Sequence, residues 1–431
     1  MISLGFSEKS WGGGGGSRSE EKIKTTESAR MARVAFQAMD ATNGNNKEKD
    51  KGNGEIIIHK SNLTYADFAD LYSDEEIRGD MGYVVDAVRK IHEKAEKRGE
   101  EVDTYGAPRV LEWVASRGIL TYDWLGLRGF DTKVHKIHTA AKPQDVRHCL
   151  DRYTCLSYDD SAHKIDAAFE LESPDGDKVP FGLDLTIAQN SGTIWKKLRV
   201  SHNSKYVKNR EEREKLESLP DGFSAIKYGY VRVSDQDSAL SSHEMVPRFV
   251  VGVGADQSLR LNGLIGRAER NGIAPQKVMF DPEMIATRFK MLAEIYEQSE
   301  TLRVRSRGDE RSDEAREMLD VLRDSAWRSV NATLDWLPGN LEPISAPGAE
   351  EYNRKVDRLF DLNLEVADRR EAGEEVGDLL KRRYELAVNI MAKQHEKVPG
   401  EDEAIARPDN TFREIIFQNR KICGSPYGSM I

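Results

Sequence analysis

Apolar and polar residues alternate with period two at 163–173 and again at 178–187. This pattern predicts two β-strands. Between them Pro174-Asp175-Gly176 suits a three-residue hairpin loop, a type I turn closed by a glycine at positive φ. Such a loop pairs Ser173 with Asp177 and thereby sets every later pair. Leu171 then faces Val179, Phe169 faces Phe181 and Ala167 faces Leu183 along an apolar side. On the other side Glu172 faces Lys178, Glu170 faces Pro180, Ala168 faces Gly182, and Asp166 faces Asp184. Opposite charges at the open end and an aromatic pair in the middle agree on this register, and a one-residue slip would scramble them all.

Helical spacing dominates elsewhere. Residues 19–40 carry Met31, Val34, Ala35, Ala38 and Met39 on one face, after a glycine tether at Gly12–Gly16 and before a polar, glycine-rich mobile loop at 41–54. Residues 63–125 read as helical, with Thr64 as an N-cap, Val84, Val85, Val88 and Ile91 on one face of 81–98, and a short helix at about 108–116. Pro143 opens a helix reaching about 156, and Ser191 caps another reaching about 206. Strand-like runs follow at 223–233 and 246–253. Beyond about 256 the pattern is helical, with segments at 281–300, 314–335, 350–371 and 376–396 separated by breaks such as Pro338-Gly339 and Gly373. The expected organisation is a flexible segment 1–60 with one helix, a helical region 61–140, an α/β domain 141–275 and a helical region 276–431.

The 431 residues suffice for two or three domains with a buried core. The net charge of −10, from 64 basic and 74 acidic residues, excludes a general basic coat for nucleic acid. Any phosphate contact must come from a local patch. No run of 18 apolar residues predicts a membrane helix, and the N-terminus lacks a secretory pattern. Three sparse cysteines, Cys149, Cys155 and Cys423, fit a reducing compartment, so the expected location is cytoplasmic.

The predicted register has one chemical cost. Asp166 and Asp184 face each other at a cross-strand distance of ~5 Å, which destabilises the sheet unless something offsets the repulsion. A bound cation, a basic neighbour, a shared proton or open solvent would do so. Ala168 and Gly182 beside the pair leave room over the strands, and a hard divalent ion is the natural occupant. Paired aspartates on a solvated hairpin face are the plainer alternative.

With a helix, Asp166 at a strand start, Asp184 on the second strand, a helix and a further strand, residues 143–253 resemble the PD-(D/E)XK nuclease-like superfamily over about 110 of 431 residues. The resemblance implies an α/β (α+β) fold with a restriction-endonuclease-like α-β-β-α-β core. It also implies that Asp166, Asp184 and a backbone carbonyl hold Mg²⁺ or Mn²⁺, with Asp159 or Asp160 as a further ligand. The family's lysine, two residues after the second acid, is replaced by Thr186. Some members carry it on the following helix, where Lys196 and Lys197 are the candidates. Ile194, Trp195 and Leu198 define the expected buried stripe of that helix, and Lys197 lies nearer to it by helical angle. Glu170, ~13 Å from Asp166 along the strand, is no partner. The implied reaction is metal-dependent phosphodiester hydrolysis in DNA or RNA. The alternative is a non-catalytic nucleic-acid-binding or scaffold protein that keeps a degenerate nuclease-like fold.

Residues 195–215 contain eight Lys/Arg against three Glu, with Trp195 and Tyr206 interleaved. Lys196, Arg199, Lys205 and Lys208 there, with Lys227 and Arg232 on the next strand, suit phosphate contact and base stacking. A solvated face in a charge-rich protein gives the same pattern. Gly252-Val253-Gly254 lacks the third glycine of a dinucleotide loop. His135, His138, His148, Cys149 and Cys155 match no standard zinc spacing, and no G-x-S-x-G elbow is present. The C-terminal helices are expected to serve packing, self-association or a protein partner.

Overall fold

The computed structural model describes residues 68–97, 107–122, 124, 133–139, 158–172, 176–204, 207, 209–232, 238–305, 311–341, 349–393 and 410–422. The expected helices at 19–40 and 143–156, with His148 and all three cysteines, lie outside them. The elements are α1 (Asp74–Lys97), α2 (Ala107–Leu120), β1 (Lys133–Thr139), α3 (Tyr158–His163), β2 (Ala167–Glu172), β3 (Lys178–Thr186), α4 (Ser191–Arg199), α5 (Arg210–Glu217), β4 (Phe223–Ile226), β5 (Gly229–Arg232), β6 (Ser238–Leu240) and β7 (His243–Gly252). Helices α6 (Ala255–Arg270), α7 (Pro275–Val278), α8 (Pro282–Arg305), α9 (Arg311–Leu334), α10 (Glu350–Glu371), α11 (Gly377–Lys393) and α12 (Asn410–Ile422) follow. The architecture is mixed helix and sheet, as an α/β reading requires.

The central hairpin has the register that its alternation predicts. Ala167 pairs with Leu183, Ala168 with Gly182, Phe169 with Phe181, Glu170 with Pro180, Leu171 with Val179 and Glu172 with Lys178. Phe169 and Phe181 stack with ring centroids 5.6 Å apart. Gly176 takes φ +89°, the left-handed conformation that a three-residue loop assigns to its glycine.

The sheet begins earlier than expected. Lys133–Thr139, inside the stretch read as helical, is a strand pairing antiparallel with β2 on one side and β5 on the other. Its apolar signal is weak because its polar side chains find partners: Lys133 and His135 both reach Glu172, and Lys136 reaches Ser116. The strand order is β4-β7-β3-β2-β1-β5-β6, with β7 parallel to β3. Only Lys227 and Tyr228 separate β4 from β5, so the strand expected at 223–233 is broken in two. Its first half pairs with β7 and its second half with β1, so the sheet curls round until strands near its two ends adjoin at Lys227-Tyr228.

This closure buries both faces of the hairpin. The side carrying Phe169, Phe181 and Leu183 belongs to the main core with the C-terminal helices. The opposite side, expected to be polar, holds a second cluster of Ile137, Ile165, Ala168, Ile226, Val231 and Val246. Beyond Pro247 the outer edge of β7 has no strand neighbour among the described residues, and α8 satisfies it instead. Val250 N–H donates to Gln298 Oε1 (2.8 Å), Gln298 Nε2 donates to Val250 O (2.7 Å), and Gly252 N–H donates to Glu294 Oε2 (2.9 Å). Side-chain amides and carboxylates here replace a missing strand, the requirement for any buried edge. Helix α12 packs on the same side, with Ile415 against Ile194 and Val250. Among the described residues, no helix is long and apolar enough to cross a membrane.

Candidate active site

Helix α3 ends at His163, and the chain turns through Lys164, whose φ of 55° is left-handed. Ile165 N–H closes this turn on Asp159 O (3.2 Å). Asp166 follows just before β2, its N–H donating to Leu183 O (2.8 Å). Its Oδ2 accepts from Leu185 N–H (2.7 Å), while its buried Oδ1 has no hydrogen-bond partner. Asp184, 3% exposed, lies inside β3. Its Oδ1 accepts from Lys197 Nζ, and its Oδ2 accepts from Arg248 Nη1 at 2.6 Å. Arg248 is buried on β7, and its Nη2 donates to Lys197 O and Val200 O at the end of α4. One guanidinium thus ties the second acid to the crossover helix.

The electrostatics follow from burial and neighbours. Burial, then the charges of Asp184 and Asp160, push the Asp166 carboxyl well above the usual carboxylate range. Burial acts the same way on Asp184, but Lys197 and Arg248 outweigh it and hold that carboxyl low. Burial and the neighbouring charges of Arg248, Lys197 and Lys196 bring the Lys164 ammonium down to about 8, against the opposing pull of Asp184.

Compared with protein-family models, with curated proteins and with solved structures, the chain finds no match.

The sequence-predicted residues are thus distributed unevenly. Lys197, and not Lys196, reaches Asp184, while Lys196 is exposed. The stripe used to choose between them needs correcting: Ile194 is buried, but Trp195 is 40% exposed, with the Arg199 guanidinium over its ring at 4.9 Å. The N-cap of α4 is Asn190, whose Oδ1 accepts from Thr193 N–H, rather than Ser191. Helix α4 also stops at Arg199, short of the expected 206. The room expected over Ala168 and Gly182 is filled, since a Cβ on Gly182 would sit 2.8 Å from Ile165 Cγ1. The chain itself supplies the cations that face Asp184, Lys197 and Arg248, while Asp166 stays raised by burial and by Asp184.

Lys227 is not available to phosphate. The residue is 7% exposed, and its Nζ donates to Glu76 (2.8 Å), Asp80 (2.7 Å) and Glu212 (2.7 Å). It also lies over the rings of Tyr72, Tyr158 and Tyr228 at 5.0, 5.3 and 5.5 Å. Asp159 faces this network and not the acid pair, accepting from Lys227 N–H, Tyr228 N–H and His163 Nδ1. Asp160 acts on Asp166 through its charge. Lys205, Tyr206 and Lys208 lie outside the described residues. Gly252 needs no cofactor to explain it, because a Cβ there would lie 2.4 Å from Thr186 O.

Two residues of this cluster escaped the sequence reading. Arg248 is a lone charge in the apolar run VPRFVVGV, and a charge inside a buried strand demands a buried partner. Lys164 gives no sequence signal, because its left-handed backbone is set by the turn. Among the described residues no group of three or more His, Cys, Asp or Glu could hold a metal. Two carboxylates nevertheless suffice for Mg²⁺ when water and substrate phosphate complete its sphere. The partnerless Asp166 Oδ1 beside Asp184 fits that donor chemistry.

Proposed function

We propose that Asp166, Asp184 and Lys197 form the active site of a metal-dependent nuclease hydrolysing phosphodiester bonds in DNA or RNA. The observation carrying this reading is the Lys197 ammonium, delivered by the crossover helix α4 onto Asp184 beside Asp166. It supports the PD-(D/E)XK resemblance at its weakest point, the missing lysine on β3. The order of elements supports it too: β2 and β3 are antiparallel, α4 follows, and β7, reached after β4, β5 and β6, runs parallel to β3.

Asp166 and Asp184 would hold Mg²⁺ or Mn²⁺. When bound, such an ion neutralises charge on the attacked phosphate and lowers the pKa of water. Arg248 holds Asp184 ionised and aimed. Lys197 orients the attacking water or stabilises negative charge growing on phosphorus oxygens, a role for a preorganised cation in a water-poor site. Exposed Lys196 and the Trp195–Arg199 stack on α4 flank this point, offering phosphate contact and a base-stacking platform.

The test is hydrolysis of DNA and RNA with Mg²⁺ and with Mn²⁺, comparing wild type with Asp184→Ala and Asp166→Asn. Metal-dependent cleavage by wild type, lost in both variants, is expected. Equal cleavage in all three, or none in any, removes the enzymatic reading. A second reading draws on the two ion pairs that occupy both oxygens of Asp184. These satisfy the acid without a metal, as in a non-catalytic scaffold keeping the fold. Absence of cleavage in the same assay favours it.

A further inference from the structure

Lys164 occupies the position just past α3, where a helix turns into the left-handed conformation. Glycine is the usual residue there, with asparagine second. Within the described residues Lys164 is the only non-glycine residue with positive φ. A side chain at such a backbone costs stability that glycine would avoid, and residues kept at that cost concentrate at functional sites.

The side chain also has an unusual setting. It is half-buried, and among the described residues its ammonium makes no hydrogen bond or ion pair. It lies within electrostatic reach of Asp184, Arg248, Lys197 and Lys196. Asp184 already has one cation on each oxygen. Lys164 is therefore surplus to the needs of Asp184, and it stands beside three like charges, Arg248, Lys197 and Lys196, whose repulsion an anion would relieve. The chain connects it to Asp166 through Ile165 alone, so the same turn sets both groups at the site.

Resting on the hydrolase reading, we infer that Lys164 is a substrate-binding residue whose ammonium contacts a backbone phosphate of the nucleic acid beside the Asp166–Asp184 pair. It adds an electrostatic contact that carries no base specificity. The left-handed backbone is the cost of directing a long cation from this turn into the site.

That backbone supplies a clean test, because Lys164→Gly deletes the amine while suiting the conformation. Folding should be kept, and the variant should melt no lower than wild type. Binding of a fluorescein-labelled oligonucleotide is measured by anisotropy in Ca²⁺, over a salt series, for wild type, Lys164→Gly and Lys164→Arg. Loss of a charge-assisted phosphate contact should weaken binding by about tenfold in Lys164→Gly. The slope of log affinity against log salt should fall in magnitude by about one. Lys164→Arg should stay within about threefold of wild type, since it keeps the charge. Equal affinity and slope for Lys164→Gly and wild type would overturn the inference, as would a wild type that does not bind. The hydrolysis assay decides the hydrolase reading separately: a protein that cleaves but whose Lys164→Gly variant binds normally loses only this assignment.

Discussion

Arg248 and Asp184 meet across the parallel strands β7 and β3, with Nη1 2.6 Å from Oδ2 and both side chains almost wholly buried. Asp184 pairs in register with Val250, two residues along from Arg248, so both side chains emerge on the same side of the sheet. Removing one partner of a buried ion pair leaves the other charge uncompensated. Arg248→Ala should therefore destabilise the fold by about 3–5 kcal/mol. The exposed pair of Arg260 and Glu283, 2.8 Å apart, is the control: Arg260→Ala should cost less than about 1 kcal/mol. Urea unfolding of the two variants checks the contrast, and equal effects would mean that Arg248 is not holding Asp184.

Asp166 behaves in the opposite way. Its carboxyl is raised by burial and by Asp184, so ionisation at neutral pH costs stability in the absence of a cation. For such a group the stability is complete below the unfolded carboxyl range and is lost as pH rises through the folded value. Asp166→Asn keeps an oxygen to accept from Leu185 N–H and removes the charge. The expected outcome is a higher melting temperature at neutral pH together with loss of Mn²⁺ binding, read by calorimetric titration. A variant that melts lower would contradict the electrostatic account.

Lys197 and Lys196 are adjacent in sequence but separated by function in the proposed site. Lys197→Met should lower kcat by about 10²-fold or more, the usual effect of deleting a preorganised charge-stabilising group. Lys196→Met should instead raise KM and spare kcat, because an exposed cation binds substrate and transition state alike. Steady-state kinetics on an oligonucleotide separates the two. Identical profiles would remove the distinction drawn from the Lys197–Asp184 ion pair.

The hairpin was legible because its signals are local and redundant: turn chemistry, a Phe–Phe pair and a Glu–Lys end all specify one register. Lys197 was legible from helical angle, although Trp195 turned out to face solvent and the stripe is carried by buried Ile194 with half-buried Leu198. What escaped is long-range. Strand β1 looks polar because its partners, Glu172 and Ser116, lie far along the chain. The burial of both hairpin faces depends on the closure made by the broken strand at Lys227-Tyr228, which no periodicity announces. The same break explains the error over Lys227, which reads as one more basic residue and is instead the hub of a carboxylate cage.

That cage makes stability depend on pH in a definite direction. Burial alone would lower the His163 imidazole, but its contacts with Asp159 (2.8 Å) and Glu212 (3.3 Å) prevail and hold it up at about 9. Glu212 is opposed by burial too, yet His163 and Lys227 bring it down to about 2. A raised histidine contributes fully below its unfolded pKa of about 6.5 and loses that contribution as pH climbs through about 9. A depressed carboxylate contributes above its unfolded pKa of about 4.5 and loses that as pH falls toward about 2. The cage should therefore be strongest between about pH 4.5 and 6.5. Between pH 6.5 and 9 the domain should lose on the order of 2 kcal/mol through His163. Denaturant unfolding across that range should show the decline in wild type, and His163→Gln should flatten it. A wild-type curve already flat from pH 6.5 to 9 would mean that the imidazole is neutral in the fold, with Glu212 held by Lys227 and the Tyr158 hydroxyl.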